Sequence, residues 1–217
     1  MAFQQAGFTA IGVEFLITMF SRVNQDYQHI IREKLSRKLY LHSLGVARAA
    51  RELALFYGCD PERAYLAGLL HDYGKQFSLE DQYREARRLH LKLDSITWSE
   101  AQLLHAPLGA ELIRRELKLE DWSLIRAIIY HTTGAPGMDL LSEVVYLADY
   151  IEEGRSYPGV DQLRELVYTD LDRALLKAVE NTMNKILEEG GLLHPLSVAF
   201  RNEILCRLRE KDNTKKE

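Results

Sequence analysis

One stretch, residues 60–75, outlines a whole helix and constrains everything packed around it. Asp60 is a capping acid, and Pro61 suits a first helical position, where a missing N–H loses no bond. Tyr65, Leu66, Leu69 and Leu70 recur at helical spacing and make one buried side. That apolar run ends in His71-Asp72, which the spacing places in the last turn, with Gly74 as the stop. An imidazole and a carboxylate closing a buried stripe need compensation: either this helix end meets solvent, or other elements bring further ligands and a metal to it.

The rest of the chain supplies helices to meet it. Helical spacing of Tyr27, Ile30, Ile31 and Leu35 predicts a helix over 24–37, and a second pattern over 39–57 stops at Gly58. Ser78 with Asp81 resembles a capping box for a helix to 89. A looser stretch, 92–100, leads to a short helix, and His105-Ala106-Pro107 restarts another to 117. Asp121 caps 122–131, followed by a Gly/Pro turn, and 140–152 is an apolar helix interrupted by Asp149. Further helices are predicted over 161–168, 170–189 and 195–209. Nowhere does a β-branched alternating run lie between turn signals, so the expected fold class is all-α. With no repeat and no Pro/Ser/Gly linker, 24–209 is read as one domain, 1–23 as an N-terminal extension and 210–217 as a charged, frayed tail.

Composition excludes several classes. Low Gly and Pro (13 and 5 in 217 residues) argue against disorder, and a net charge of −4 offers no basic face for a nucleic-acid duplex. Cys59 and Cys206 are too few for a disulfide framework or a thiolate site and fit a reducing cytoplasm. The first twenty residues are apolar, but Gln4, Gln5 and Glu14 break the run, so no membrane partner is expected. A homodimer is compatible with such a chain.

His42, His71, Asp72, His105, His131 and Asp149 each sit near a helix end or interrupt an apolar face. Three helices meeting at one point would unite His42, His71-Asp72 and Asp149 as two imidazoles and two carboxylates, a mixed set suited to Fe, Mn, Zn, Ni or Mg. Asp149 has no Lys or Arg in the four residues before it, and Arg155 is its nearest following candidate partner. His29 and His90 lie in polar surroundings and read as surface residues, and Arg84, Arg87, Arg88 and Lys92, interleaved with Glu85 and Asp94, as a solvated face.

The order His…His-Asp…Asp on an all-α chain resembles the HD superfamily of metal-dependent phosphohydrolases. More narrowly, Leu41-His42-Ser43-Leu44-Gly45-Val46, His71-Asp72-Tyr73-Gly74-Lys75, His105-Ala106-Pro107-Leu108-Gly109-Ala110, Tyr130-His131-Thr132-Thr133-Gly134 and Tyr146-Leu147-Ala148-Asp149-Tyr150-Ile151-Glu152 are similar to blocks of the YqeK-type bacterial bis(5′-nucleosyl)-tetraphosphatases. The likeness runs on through Arg155, Leu163-Arg164 and Leu193-His194-Pro195 and covers roughly 26–205; the N-terminal extension departs from it.

That resemblance implies a single HD-domain helical bundle holding iron (Mn, Ni, Zn or Mg being alternatives) on His42, His71, Asp72 and Asp149. It implies hydrolysis of diadenosine tetraphosphate to two ADP, with Asp72, His105 and His131 in the catalytic machinery. Lys75, His105, His131, Thr132, Arg155 and the block Leu192, Leu193, His194, Pro195, Leu196 and Ser197 would contact the dinucleoside polyphosphate or the nucleoside diphosphate product. On an acidic protein, a metal with Lys75, Arg155 and two histidines is a sensible local answer to a tetraphosphate, and the metal would also activate water for in-line attack. Three alternatives stay open: His105 and His131 holding a second ion with Asp72, another nucleotide as substrate, and a non-catalytic nucleotide sensor. His194 is equally readable as an N-cap, and Lys75 as a solvated helix-end lysine.

Overall fold

The computed structural model describes residues 25–214, and every regular element among them is helical. Helical residues 25–34 (α1) lead to α2 (Arg37–Tyr57), α3 (Pro61–Leu70), a 3-10 turn η1 (Tyr73–Gln76), α4 (Leu79–Arg88), α5 (Ser95–Ser99) and α6 (Ala101–Glu116). There follow α7 (Trp122–Tyr130), α8 (Leu140–Ile151), α9 (Val160–Leu166), α10 (Leu171–Glu188) and α11 (Pro195–Thr214). Side-chain oxygens start most of them: Asp60 accepts from Glu62 and Arg63 N–H at 2.9 and 3.1 Å, Ser78 from Asp81 at 3.2 Å, and Asp121 from Ser123 and Leu124 at 3.1 and 3.2 Å. Among the described residues no helix is long and apolar enough to cross a membrane.

The centre is a layer of α2, α3, α7 and α8, in which α3 packs against the other three and α8 against α2 and α7. Val46, Leu53, Leu69, Leu70, Ile128, Val144 and Leu147 are fully buried there, each worth about 1.5–3 kcal/mol relative to exposure. A Cβ on Gly68 would stand 3.0 Å from the backbone of Val46 and Ala47, so α3 approaches α2 closely one turn before His71. α6 packs on α7 and η1, while α10 and α11 pair on the other side of α8. Phe200 of α11 lies edge-on to Tyr146 at 5.5 Å and seats on Gly134.

Four expectations need correction. The first predicted helix and the second are separated at Leu35-Ser36 because Ser36 caps α2, accepting from Leu39 N–H at 3.4 Å. His105-Ala106-Pro107 restarts nothing: Pro107 lies inside a continuous α6, whose packing on η1 and α7 outweighs one lost helix bond. Gly74 is no helix stop either. α3 ends at Leu70, and Gly74 sits in η1, where a Cβ would lie 2.2 Å from His105 O and 3.0 Å from Gly109 N. Finally, α11 continues through the first residues of the expected tail to Thr214, held by a Lys211–Asp172 ion pair. The expected extension over 1–23 and residues 215–217 lie outside the described residues.

Candidate metal centre

Four elements converge on Asp72. Its carboxylate follows the end of α3 and is fully buried. Lys75 Nζ donates to its Oδ2 at 2.9 Å, and His105 Nε2, from α6, lies 3.2 Å from Oδ1. His71 Nε2 is 3.4 Å from Oδ1, His131 Nε2 3.7 Å from Oδ1, and His42 Nε2 3.9 Å from Oδ2. Asp149, on the last turn of α8, stands opposite with Oδ1 3.0 Å from His42 Nε2 and 3.8 Å from His71 Nε2. The tight η1–α6 seam at Gly74 is what brings His105 within reach of Asp72.

The imidazoles are turned by what their other nitrogen touches. His71 Nδ1 donates to Gly68 O and His131 Nδ1 to Ile128 O, both at 2.7 Å, and His42 Nδ1 lies 3.1 Å from Glu152 Oε1. With Nδ1 protonated, each ring presents its Nε2 lone pair to the cluster. His42 Nε2 then faces an Asp149 oxygen at 3.0 Å, two lone pairs that a shared proton or a metal cation can hold together. His71 Nε2 and Asp72 Oδ1 are buried atoms without a well-formed hydrogen bond. These orphaned donors, all nitrogen and oxygen, fit a divalent ion. Three groups, His42–His71–Asp72, His71–His131–Asp149 and Asp72–His105–His131, each hold ligand atoms within 4.8 Å of one another.

Electrostatics follow from the burial. Burial alone would push both carboxyls up, but the neighbouring histidines, joined at Asp149 by Arg155, outweigh it and hold Asp72 and Asp149 well below the usual carboxylate range. For His71, burial pulls down while Asp72 and Asp149 pull up more strongly, and its pKa is raised. Burial dominates at His105, which falls to about 4, and His131 is lowered for the same reason. Both of the latter rings are neutral near pH 7.

The structure thus unites His42, His71, Asp72, Lys75, His105, His131 and Asp149, with Arg155 ion-paired to Asp149 and its Nε donating to Asp149 O at 2.6 Å. Lys75 and Arg155 keep 35% and 39% of their side chains exposed. Thr132 is half-buried in the turn after His131. The block Leu192–Ser197 is engaged elsewhere. Leu192 N–H donates to Glu100 Oε1 at 3.2 Å, and His194 caps α11 by accepting from Leu196 N–H at 3.1 Å while its Nε2 meets Asp94 Oδ2 at 3.1 Å. Leu193, Pro195, Leu196 and Ser197 share that segment, and His194 is in none of the three metal-capable groups. His29 and His90 are exposed, Cys59 is half-buried and Cys206 exposed, both thiols free.

Sequence reasoning passed over Glu152 and Asp94. Glu152 is the C-cap of α8, three residues after Asp149, and only the packing of α2 beside α8 shows that His42 is its partner. Asp94 precedes a short helix by the spacing of an N-cap, and only the fold shows that His194 is its partner.

An HD domain family model matches residues 39–154. A Halalkalibacterium halodurans protein named "Bis(5'-nucleosyl)-tetraphosphatase, symmetrical" is 38% identical over 176 residues, covering 81% of this chain and 94% of that one. One of the same name from Bacillus subtilis is 40% identical, covering 76% and 88%. A solved structure from Clostridium acetobutylicum, described as a "predicted HD superfamily hydrolase involved in NAD metabolism", superposes with a TM-score of 0.80 at 36% identity, covering 84% of this chain and 97% of that one. The family model covers His42, His71, Asp72, His105, His131 and Asp149, and this chain belongs to the HD-domain family, alongside the bacterial symmetrical bis(5′-nucleosyl)-tetraphosphatases.

Proposed function

We infer that this chain is a metal-dependent phosphoric anhydride hydrolase that cleaves diadenosine tetraphosphate symmetrically into two ADP. The observation that carries it is the convergence of His42, His71, Asp72 and Asp149 on one point with orphaned ligand atoms, in a chain 38–40% identical to proteins bearing that name. Those four residues would hold the metal, for which iron is proposed and Mn, Ni, Zn or Mg are alternatives. A divalent ion there supplies Lewis acidity toward phosphoryl oxygens and acidifies water for in-line attack.

The chain's own residues do the remainder. Lys75 and Arg155 stand beside the ligand carboxylates and exchange part of that pairing for phosphate oxygens, neutralising charge as the bridging oxygen departs with ADP. His105 and His131 are neutral in the ligand-free site, where their Nε2 atoms are 3.0 Å apart, and the arrival of a polyanion raises both toward protonation. Either can then hydrogen-bond phosphate and give a proton to the departing oxygen. Thr132, beside His131, is proposed to contact phosphate. The segment Leu192–Ser197 is proposed to contact the nucleoside through its chain rather than through the His194 ring, whose two nitrogens are occupied. The domain is taken as 24–209 and its location as the cytoplasm, with nucleotide as the partner.

Water adds to one inner phosphorus and the central P–O–P bridge breaks, leaving one ADP on each side. The test is a panel of dinucleoside polyphosphates incubated with reduced, iron-loaded protein. ADP as sole product from diadenosine tetraphosphate is expected, whereas AMP with ATP would refute the symmetry. The solved relative's description favours a second reading, hydrolysis of a nicotinamide-type nucleotide. Turnover of that substrate alone would establish it. Metal-to-protein stoichiometry separates one ion from two, since Asp72, His105 and His131 form the third ligand group.

A further inference from the structure

His71 and His131 follow directly on α3 and α7, and the last carbonyls of a helix have no partner within it, so each ring finds its Nδ1–H acceptor one turn back. His42 has no such choice. It stands in the second turn of α2, where the carbonyls one turn back are already bound within the helix. The acceptor must come from another element, and Glu152, at the end of α8, supplies it at 3.1 Å.

The Glu152 carboxylate sits in a fitted cradle. It is 5% exposed, and Gly154 N–H donates to its Oε2 at 2.6 Å. A Cβ on Gly45 would lie 2.5 Å from the same oxygen, and one on Gly154 3.0 Å from both oxygens. Any side chain at position 45 would therefore displace the carboxylate, since it is the flexible member of the contact.

We propose that Glu152 is a positioning residue for the metal: by accepting the Nδ1–H of His42 it fixes the orientation and tautomer of that ring and makes its Nε2 a stronger donor to a divalent cation. A carboxylate is a stronger acceptor than the backbone carbonyls behind His71 and His131, so the hydrogen bond that orients His42 is the strongest of the three. The proposal rests on the metal reading above and not on the identity of the substrate.

The test uses Glu152→Gln and, with Glu152 untouched, Gly45→Ala. Metal-free protein is titrated with Mn(II) against a fluorescent chelator, and the His42 ring nitrogens are read by 15N NMR in the metal-free state. Expected are a single Nδ1–H tautomer in the wild type, its loss in Gly45→Ala, where the acceptor is displaced, and binding weakened about tenfold to hundredfold in both variants, because the amide oxygen of Gln is a weaker acceptor than the carboxylate. Wild-type affinity in a folded Glu152→Gln protein overturns the proposal, as does a wild-type His42 protonated on Nε2 alone. Metal-loaded wild type that fails to cleave diadenosine tetraphosphate overturns the substrate reading and leaves the affinity difference standing.

Discussion

Replacing Gly74 by alanine should damage the site through the backbone seam that holds it. The new Cβ would lie 2.2 Å from His105 O and 3.0 Å from Gly109 N, both backbone atoms that no side-chain rotation can clear. Ordinary contact needs about 3.5 Å, so η1 and α6 must part by about 1 Å. Asp72 precedes η1 and His105 rides on α6, and their 3.2 Å contact would stretch past hydrogen-bond reach. Overpacking of this kind costs about 1–3 kcal/mol. For a chain of 217 residues that lowers the melting midpoint by about 2–12 °C. A displacement of about 1 Å among catalytic groups costs about a hundredfold in turnover. Calorimetry of the metal-free protein, with ADP release measured well below the lowered midpoint, separates the two effects. Gly109→Ala, whose Cβ would stand 2.8 Å from Gly74 N, should act in the same direction. A Gly74→Ala protein with wild-type midpoint and wild-type turnover would refute the claim that this seam positions Asp72 against His105.

Asp149→Asn should lower bound metal well below one ion per chain by elemental analysis and remove turnover with it, because the charge that balances the cation is gone; unchanged metal content would exclude Asp149 as a ligand. Phe200→Ala, which empties a fully buried site between Gly134 and Tyr146, should cost about 3–5 kcal/mol in denaturant unfolding. Asp94 gives a pH signature. Burial pushes its carboxyl up, but hydrogen bonds from Thr97 and contact with His194 hold it well below the usual range. A depressed acid stabilises the fold fully above its unfolded pKa of about 3.9, and that contribution shrinks as pH drops below about 3.9 and is lost as pH falls through the depressed folded value. The melting gap between wild type and Asp94→Asn should therefore be widest near neutral pH and close toward pH 2; a gap that widens on acidification would contradict it.

The helices were legible because their signals are local. Asp60-Pro61, Ser78, Asp121 and the apolar spacing of 140–151 act over one or two turns, and the folded chain uses them as read. Gly74 and Pro107 were misread for the same reason: both look like punctuation, and what decides them is a second element seated against the backbone. The meeting of His42, His71, Asp72 and Asp149 was legible, since an acid or an imidazole on an apolar helix face needs a reason to be buried. Its supports were not. Glu152 reads as one more surface acid at a helix end until α2 is laid beside α8, and His194 reads as free until α5 brings Asp94 to it.

The buried cluster also bears on the order of events. Asp72, Asp149 and Glu152 bring three formal negative charges to one point, Lys75 and Arg155 return two positive ones, and His71, whose pKa the two aspartates raise, carries a share of a third, so the empty pocket offers a polyphosphate no excess of positive charge. A divalent cation seated there would add two positive charges and turn the pocket into a cationic spot on a chain of net charge −4. The charge of the first guest then favours the second.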